Sequence, residues 1–299
     1  MESRSDSGIL AFRIEARRSM QLRVITRQDI PGGVRLNTIV GWNQTEADWT
    51  RFLDASPDGC FVMDDDGKIV GTSATIPYER RFAWIVMVLV DPDYRNQGIG
   101  TTLLQRAVEY LDGTAIPTLK LDATPAGKPL YEKMGFVTEY EIDRWILKRS
   151  VTQNPATTIS VLPSDLLKQV FEYDREVFGA DRSALLGSLT NHAPSLVVVP
   201  SWFERQGYAF GRHGVFADHL GPWMARDDRT AEILLKEFLR RSTRETIIVD
   251  ALKSTRATGE LLREQGFHPA RPLTRMYRGS NEFPGNQNFL CAILGPEFG

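Results

Sequence analysis

The residues best suited to chemistry in this 299-residue chain are Arg95-Asn96-Gln97-Gly98-Ile99-Gly100, a glycine loop between an apolar strand-like run and a helix-like run. Such a loop presents the backbone N–H groups of Gln97 to Thr102 at a helix N-terminus, where unpaired amides and the helix dipole favour an anion. A β-carbon at Gly98 or Gly100 would hold a diphosphate away from those amides, and Arg95 adds a charge-assisted hydrogen bond, so pyrophosphate is the ligand that fits. Rival phosphate loops fit poorly. No Gly-Lys-Ser/Thr ending completes a P-loop, and neither a third glycine nor a ribose-reading acid completes a dinucleotide fingerprint. Taken alone, two glycines at this spacing also suit a plain structural turn.

The flanking elements must aim this loop. Residues 82–90 are apolar on both faces, as a central strand requires, and end at Asp91-Pro92 because proline cannot continue a ladder. After the loop, Ile99, Leu103, Leu104, Ala107, Val108 and Leu111 recur at helical spacing, and Gly113 with Pro117 ends the run. Upstream, residues 22–25 read as a strand and residues 29–41 as helix and loop, while Thr45 N-caps a helix carrying Trp49, Phe52 and Leu53. Residues 60–63 and 69–76 form a hairpin across Asp64-Asp65-Asp66-Gly67. Downstream come a strand at 118–122, a helix at 126–134 closed by Gly135, and closing strands within 136–147.

Two stretches carry a resemblance. Residues 88–104, Val-Leu-Val-Asp-Pro-Asp-Tyr-Arg-Asn-Gln-Gly-Ile-Gly-Thr-Thr-Leu-Leu, resemble the acyl-CoA motif of the GNAT superfamily of N-acyltransferases, and residues 122–136 resemble the second half of that pattern. The likeness spans about residues 22–149. The whole chain also resembles tandem-GNAT proteins of the YitH-like type, whose second copy is degenerate, including Gly41-Trp42-Asn43-Gln44 and the closing Gly295-Pro296-Glu297.

The resemblance implies an α/β (α+β) fold of two tandem domains, each a mixed, largely antiparallel twisted sheet flanked by helices. It implies acetyl-CoA as acyl donor and no metal. Backbone groups of Val88, Leu89 and Val90 would hold the pantetheine arm, and Arg95, Asn96, Gln97, Gly98, Ile99, Gly100, Thr101 and Thr102 the diphosphate. Tyr131 falls where the family places a tyrosine beside the thioester sulfur, and its phenol can donate to a developing thiolate. An alkylammonium acceptor must lose a proton before it attacks, yet the strand at 82–90 carries no carboxylate, so the base is unassigned. Asp122 and Glu79 are candidates acting through water; each also reads as structural. Trp42, Asn43 and Gln44 lie where the family covers the acceptor, or form a surface turn with one packed indole.

An internal echo sets the domain reading. Gly135-Phe136 with Arg144 recurs as Gly266-Phe267 with Arg275 at an offset of 131, and Asp29, Val62 and Gly71 recur as Asp165, Val198 and Gly207 at an offset of 136. The expected organisation is an extension at 1–19, an acetyl-CoA-binding domain at 20–149, a linker at 150–157 and a diverged copy at 158–299. Where the copy should carry its loop, residues 223–231 contain no glycine, and Leu262 replaces Tyr131. Asp174, Arg182, His213 and His219 are left as polar candidates for an acceptor pocket at the domain interface.

Composition bounds the partners. A formal charge of -2 gives no general attraction to nucleic acid or anionic lipid, and no apolar run approaches the roughly 20 residues of a membrane span. Cys60 and Cys291 alone make no disulfide framework or zinc spacing, which fits a reducing, cytoplasmic setting. The reading is an acetyltransferase acting on a primary amine, preferably of a small molecule, by direct attack in a ternary complex. The alternatives are an enzyme for protein amines and a non-catalytic acyl-CoA sensor.

Overall fold

The computed structural model describes residues 20–151, 164–190, 197–198 and 207–299; the expected extension at 1–19 and most of the expected linker lie outside them. The first half runs β1 (Met20–Val24), α1 (Ile30–Ile39), α2 (Glu46–Ala55), β2 (Phe61–Asp65), β3 (Lys68–Tyr78), β4 (Phe82–Val90), α3 (Ile99–Asp112), β5 (Thr118–Ala123), α4 (Lys128–Lys133) and β6 (Val137–Lys148). The second repeats the series as α5 (Ser164–Phe178), α6 (Ser183–Leu189), β7 (Val197–Val198), β8 (Gly207–His213), β9 (Asp218–Ala225), α7 (Asp228–Arg241), β10 (Thr246–Leu252), α8 (Arg256–Glu264) and β11 (His268–Gly279). A short β12 (Leu290–Ala292) follows.

Local chemistry accounts for these boundaries. The β2–β3 hairpin turns at Asp66 and Gly67, with φ of 50° and 84°, and the Gly67 amide donates to Asp64 Oδ1 at 2.6 Å. Thr45 starts α2 with a capping box: its hydroxyl accepts from the Asp48 amide, while Asp48 accepts from the Thr45 amide at 2.9 Å. Gly71 lets α3 press onto β3, since a β-carbon there would sit 2.7 Å from Leu103 Cδ1. Its counterpart Gly207 does the same for Thr230 of α7, at 2.9 Å.

The two expected sheets are one. Among the described residues the strands run β1-β2-β3-β4-β5-β11-β6-β10-β12-β9-β8-β7, antiparallel except for β4–β5 and β9–β10. The closing strands expected within 136–147 are a single strand, β6, and the partner that completes the first half's sheet is β11 from the second. Reciprocally, β6 pairs with β10 and completes the sheet of the second half. The boundary near residue 150 therefore divides the chain but not the fold. β6 and β11 pair about a local pseudo-dyad at Ile142 and Leu273, both buried, with Arg144 opposite Arg271 and Tyr140 opposite Arg275.

One face of this sheet carries a core common to both halves, in which Trp49, Phe52 and Trp84 pack with Tyr173, Tyr208 and Phe298. On the other face α3 covers β2 to β5, and α7 and α8 cover the second half's strands in separate apolar clusters.

Each strand exchange is locked by a buried ion pair at the same repeat position. Arg275 of β11 donates to both oxygens of Asp122 on β5 at 2.8 Å, and Arg144 of β6 to both oxygens of Asp250 on β10 at 2.7 Å. Behind the second pair the charges continue inward. His219 lies 3.2 Å from Asp250 through Nε2 and 3.2 Å from Arg212 Nη2 through Nδ1, while Arg212 reaches Asp48 at 3.1 Å and pairs with Glu297. An arginine only donates, so Nδ1 is the acceptor and His219 is the neutral Nε2–H tautomer. Burial works against the Asp250 carboxylate, but Arg144 and then His219 outweigh it and hold it well below the usual carboxylate range.

Two outcomes follow from this core. Arg275→Ala leaves the Asp122 carboxylate buried without a counter-charge and should cost about 3–5 kcal/mol in urea unfolding; a loss under about 1 kcal/mol would contradict the lock. Burial lowers the His219 pKa to about 4 in the folded chain. The unfolded chain therefore binds the proton first, and stability should fall as pH drops from about 6.5 towards 4, by on the order of 3 kcal/mol. His219→Gln should flatten that segment of the stability–pH curve, and parallel curves for variant and wild type would refute the assignment.

Candidate active site

The site begins with a defect in β4. Between Thr72–Leu89 and Ala74–Val86 the β3–β4 ladder gains a residue, and Met87 sits at φ 53° inside the strand. Thr72 holds the distortion by donating its buried hydroxyl to the Met87 carbonyl at 2.8 Å. Consequently β4 and β5 pair only at Ala83–Leu119 and Trp84–Lys120, and beyond those residues the strands splay. The wedge between them opens as a narrow cleft. Ile85, Val86, Met87 and Val88 line one side of it, with Asp122, Thr124 and Tyr131 also in its wall.

The glycine loop sits where β4 leads into α3. Gly98 is the helix N-cap in the left-handed region, φ 82°, which favours glycine, and a β-carbon there would meet nothing within 4 Å. No side chain caps this helix, and among the described residues the amides of Gln97 to Thr101 find no backbone acceptor. The Thr102 amide, expected among the free donors, instead closes the first turn on the Gly98 carbonyl at 3.0 Å. Arg95, Asn96, Gln97, Gly98 and Thr102 are exposed, Gly100 and Thr101 half-buried, and Ile99 is buried as the first core residue of α3. Open amides at an uncapped helix start, continuous with a splayed strand pair, fit a long ligand with an anionic middle.

Tyr131 lies on α4 with its ring edge-on to Phe136, 6.2 Å between centroids, and its hydroxyl has no hydrogen-bond partner among the described residues. Burial pushes this phenol up to about 12, so it remains protonated at neutral pH. Asp122 lines the same cleft, but both its oxygens accept from Arg275; burial pushes its carboxyl up and the guanidinium opposes that. Its geometry is that of a locked structural carboxylate rather than a free base.

The α1–α2 loop supplies the next wall. Buried Asn37 shapes it, donating to the Gln44 carbonyl at 3.0 Å and accepting from the Trp49 indole at 3.0 Å. Trp42 and Gln44 line the cleft, together with Arg144, Arg271, Leu273, Pro296 and Glu297. Asn43 does not: its Oδ1 accepts from the Phe216 and Ala217 amides at 3.1 Å, stapling this loop to the β8–β9 turn.

Two expected residues stand elsewhere. Glu79 pairs with Arg175 at 2.7 Å and accepts from the Asp181 amide at 2.8 Å, chiefly the Arg175 hydrogen bond lowering its pKa, so it ties the β3–β4 turn to the second half. Asp174 is buried against Arg182, at 2.8 and 2.9 Å, and the Tyr208 hydroxyl, in the shared core. Of the other second-half candidates, Arg182 belongs to that pair, His213 pairs with Asp218 at 2.5 Å, and His219 lies behind Arg144. The residues the sequence reading missed are Arg144, Arg271 and Glu297. The pseudo-repeat marked Arg144 and the closing motif held Glu297, but only the strand exchange brings them to the first half's cleft.

The second copy blocks the same positions. Its wedge between β9 and β10 is filled by β12, which pairs with both strands. At the start of α7, Asp227 caps the helix, its carboxylate accepting from the Thr230 amide at 2.7 Å, so an acid occupies the place open in the first copy. Leu262 is fully buried in the position of Tyr131. Among the described residues no cluster of His, Cys, Asp or Glu is grouped to hold a metal, and no helix is long and apolar enough to cross a membrane.

Comparison with known proteins agrees with this two-copy geometry. Residues 35–136 match the acetyltransferase (GNAT) family and residues 170–292 a second acetyltransferase (GNAT) domain. A holothin acyltransferase of Pseudoalteromonas sp. is 24% identical over 260 residues, covering 86% of this chain and 87% of that one. An uncharacterized N-acetyltransferase of Bacillus subtilis, YitH, is 25% identical over 193 residues, 63% of this chain and 67% of that one. A solved structure from Pyrococcus horikoshii, assigned to the acetyltransferases, shares the fold with a TM-score of 0.76 at 24% identity, covering 94% of this chain and 96% of that one. With one such match to each half, the chain belongs to the GNAT acetyltransferase family as a tandem member, whose family chemistry is acyl transfer from acyl-CoA.

Proposed function

We propose that the first half transfers an acetyl group from acetyl-CoA to a primary amine of a small molecule, by direct attack while both substrates are bound. The observation that carries this reading is that a single splayed strand, β4, runs from the cleft holding the unengaged Tyr131 hydroxyl towards the glycine loop and the uncapped start of α3. The amides of Gln97 to Thr101 and the Arg95 guanidinium would hold the diphosphate, and the backbone of Val88, Leu89 and Val90 the pantetheine arm. Asn96 shapes the loop with φ 61°, and Thr102 closes its first helical turn.

Tyr131 acts as the acid in this scheme. The attacking amine forms the C–N bond, the C–S bond breaks, and the phenol protonates the leaving thiolate; water in the cleft takes the proton that the amine loses. A cysteine relay is disfavoured because Cys60 and Cys291 line no part of the cleft and burial pushes both thiols up to about 12. A small acceptor is favoured because Trp42 of the loop and Pro296 and Glu297 of the C-terminal segment line the cleft beyond Tyr131. Asp122 contributes by fixing Arg275 and the cleft wall, and Asn43 by holding Trp42 and Gln44 in place.

Tyr131→Phe should lower kcat about 100-fold while leaving the Kd for acetyl-CoA within about two-fold, in a thiol-release assay paired with calorimetry. Wild-type turnover in this variant would remove the phenol from the mechanism.

A further inference from the structure

The pseudo-dyad through β6 and β11 is broken at one pair of positions, and the break faces the cleft. In the repeat, Tyr140 corresponds to Arg271, just as Arg144 corresponds to Arg275. On the first side the outcome is balanced: Arg275 pairs with Asp122 and also donates to the Tyr140 hydroxyl. On the other side Arg144 is matched by Asp250, but its cross-strand neighbour is a second guanidinium, that of Arg271.

Arg271 has no carboxylate partner among the described residues. Its Nε is buried without a hydrogen bond, and its nearest organised contact is the Trp42 ring, 5.9 Å away. Arg51, Asp48, Arg212 and Glu297 form one chain of ion pairs and Arg144 and Asp250 another; although Asp250 offsets part of its charge and the Glu297 carboxylate of the same cleft makes no hydrogen bond, Arg271 is the cation of this group that has no ion-pair partner among the described residues. Burial, and then Arg144, lower its pKa to about 10, so it is still a cation at neutral pH. A half-buried arginine beside another arginine is costly unless an anion arrives. The same cleft also holds an unpaired buried acceptor, Gln44 Oε1, suited to the N–H of an amine.

Building on the acyl-transfer reading, we infer that Arg271 is the specificity residue for a carboxylate carried by the acceptor, so that the substrate class is an amino acid rather than a simple amine. A planar guanidinium stacked near an indole matches a carboxylate through two parallel N–H···O bonds, and a site built for that pairing discriminates strongly against a neutral analogue.

The test uses the full chain and a panel of α-, β- and γ-amino acids, each against its own carboxamide, with rates corrected to the neutral amine fraction. Two readouts run in parallel: thiol release with acetyl-CoA, and the thermal shift of the coenzyme A-saturated protein. The expected result is at least a ten-fold preference for some acid over its amide. In Arg271→Ala that preference should fall to about one, and in Arg271→Lys it should partly return, while the Kd for acetyl-CoA stays within two-fold and Tm does not fall. Equal use or binding of acids and amides, or a preference that survives Arg271→Ala, overturns the assignment, as does a preference that appears only when succinyl-CoA replaces acetyl-CoA. Arg271-dependent binding of acids with no thiol release from any amine would retain the anchor and overturn the transfer reading instead. Turnover without acid preference would do the reverse.

Discussion

Two buried arginine–aspartate pairs join halves that cannot close their own sheets. Arg275 reaches from the last strand of the second half to Asp122 in the first, and Arg144 reaches the other way to Asp250. Each pair sits at a register point where an exchanged strand meets its host, so a slip of one residue would bury two charges unpaired. The price of burying four charges is set against a single register. The same exchange carries Arg271 of β11 and Arg144 of β6 to the wall of one cleft, which neither half could build alone.

On that nearly symmetric frame the two copies have opposite fates, and each difference is chemical. The β4–β5 wedge stays open, whereas the β9–β10 wedge is filled by β12. Gly98 leaves a helix start uncapped, whereas Asp227 caps its counterpart. Tyr131 offers a phenol where Leu262 offers only apolar bulk. The second copy is therefore not a vestige appended to the first. Its last strand completes the first half's sheet, and the chain beyond β12 lines the same cleft with Pro296 and Glu297.

Much of this was legible in the sequence because it rests on local rules. The glycine loop, the strand ended by Asp91-Pro92, the helix read from Ile99 to Leu111 and the Asp66-Gly67 turn each depend on residues within a few positions of one another. The repeat was legible too, since β6 and β11 keep their offset of 131. Strand exchange was not, because β6 and β11 hold equivalent places in the repeat, so either could satisfy either sheet and only three-dimensional closure decides between them. For the same reason Glu79 and Asp174 looked available for the site, when their partners Arg175 and Arg182 lie far along the chain or across a turn. The bulge at Met87 left no mark, since an apolar residue at positive φ has no sequence signature.

The central claim is a single acyl-CoA site, built by the first half and absent from the second. Titration calorimetry with acetyl-CoA on the full chain measures it most directly. The account predicts one mole bound per mole of chain, and no binding once Gly98 is replaced by glutamate, whose bulk and charge would face the diphosphate. Two equivalents bound, or a single equivalent that survives Gly98→Glu, would contradict it.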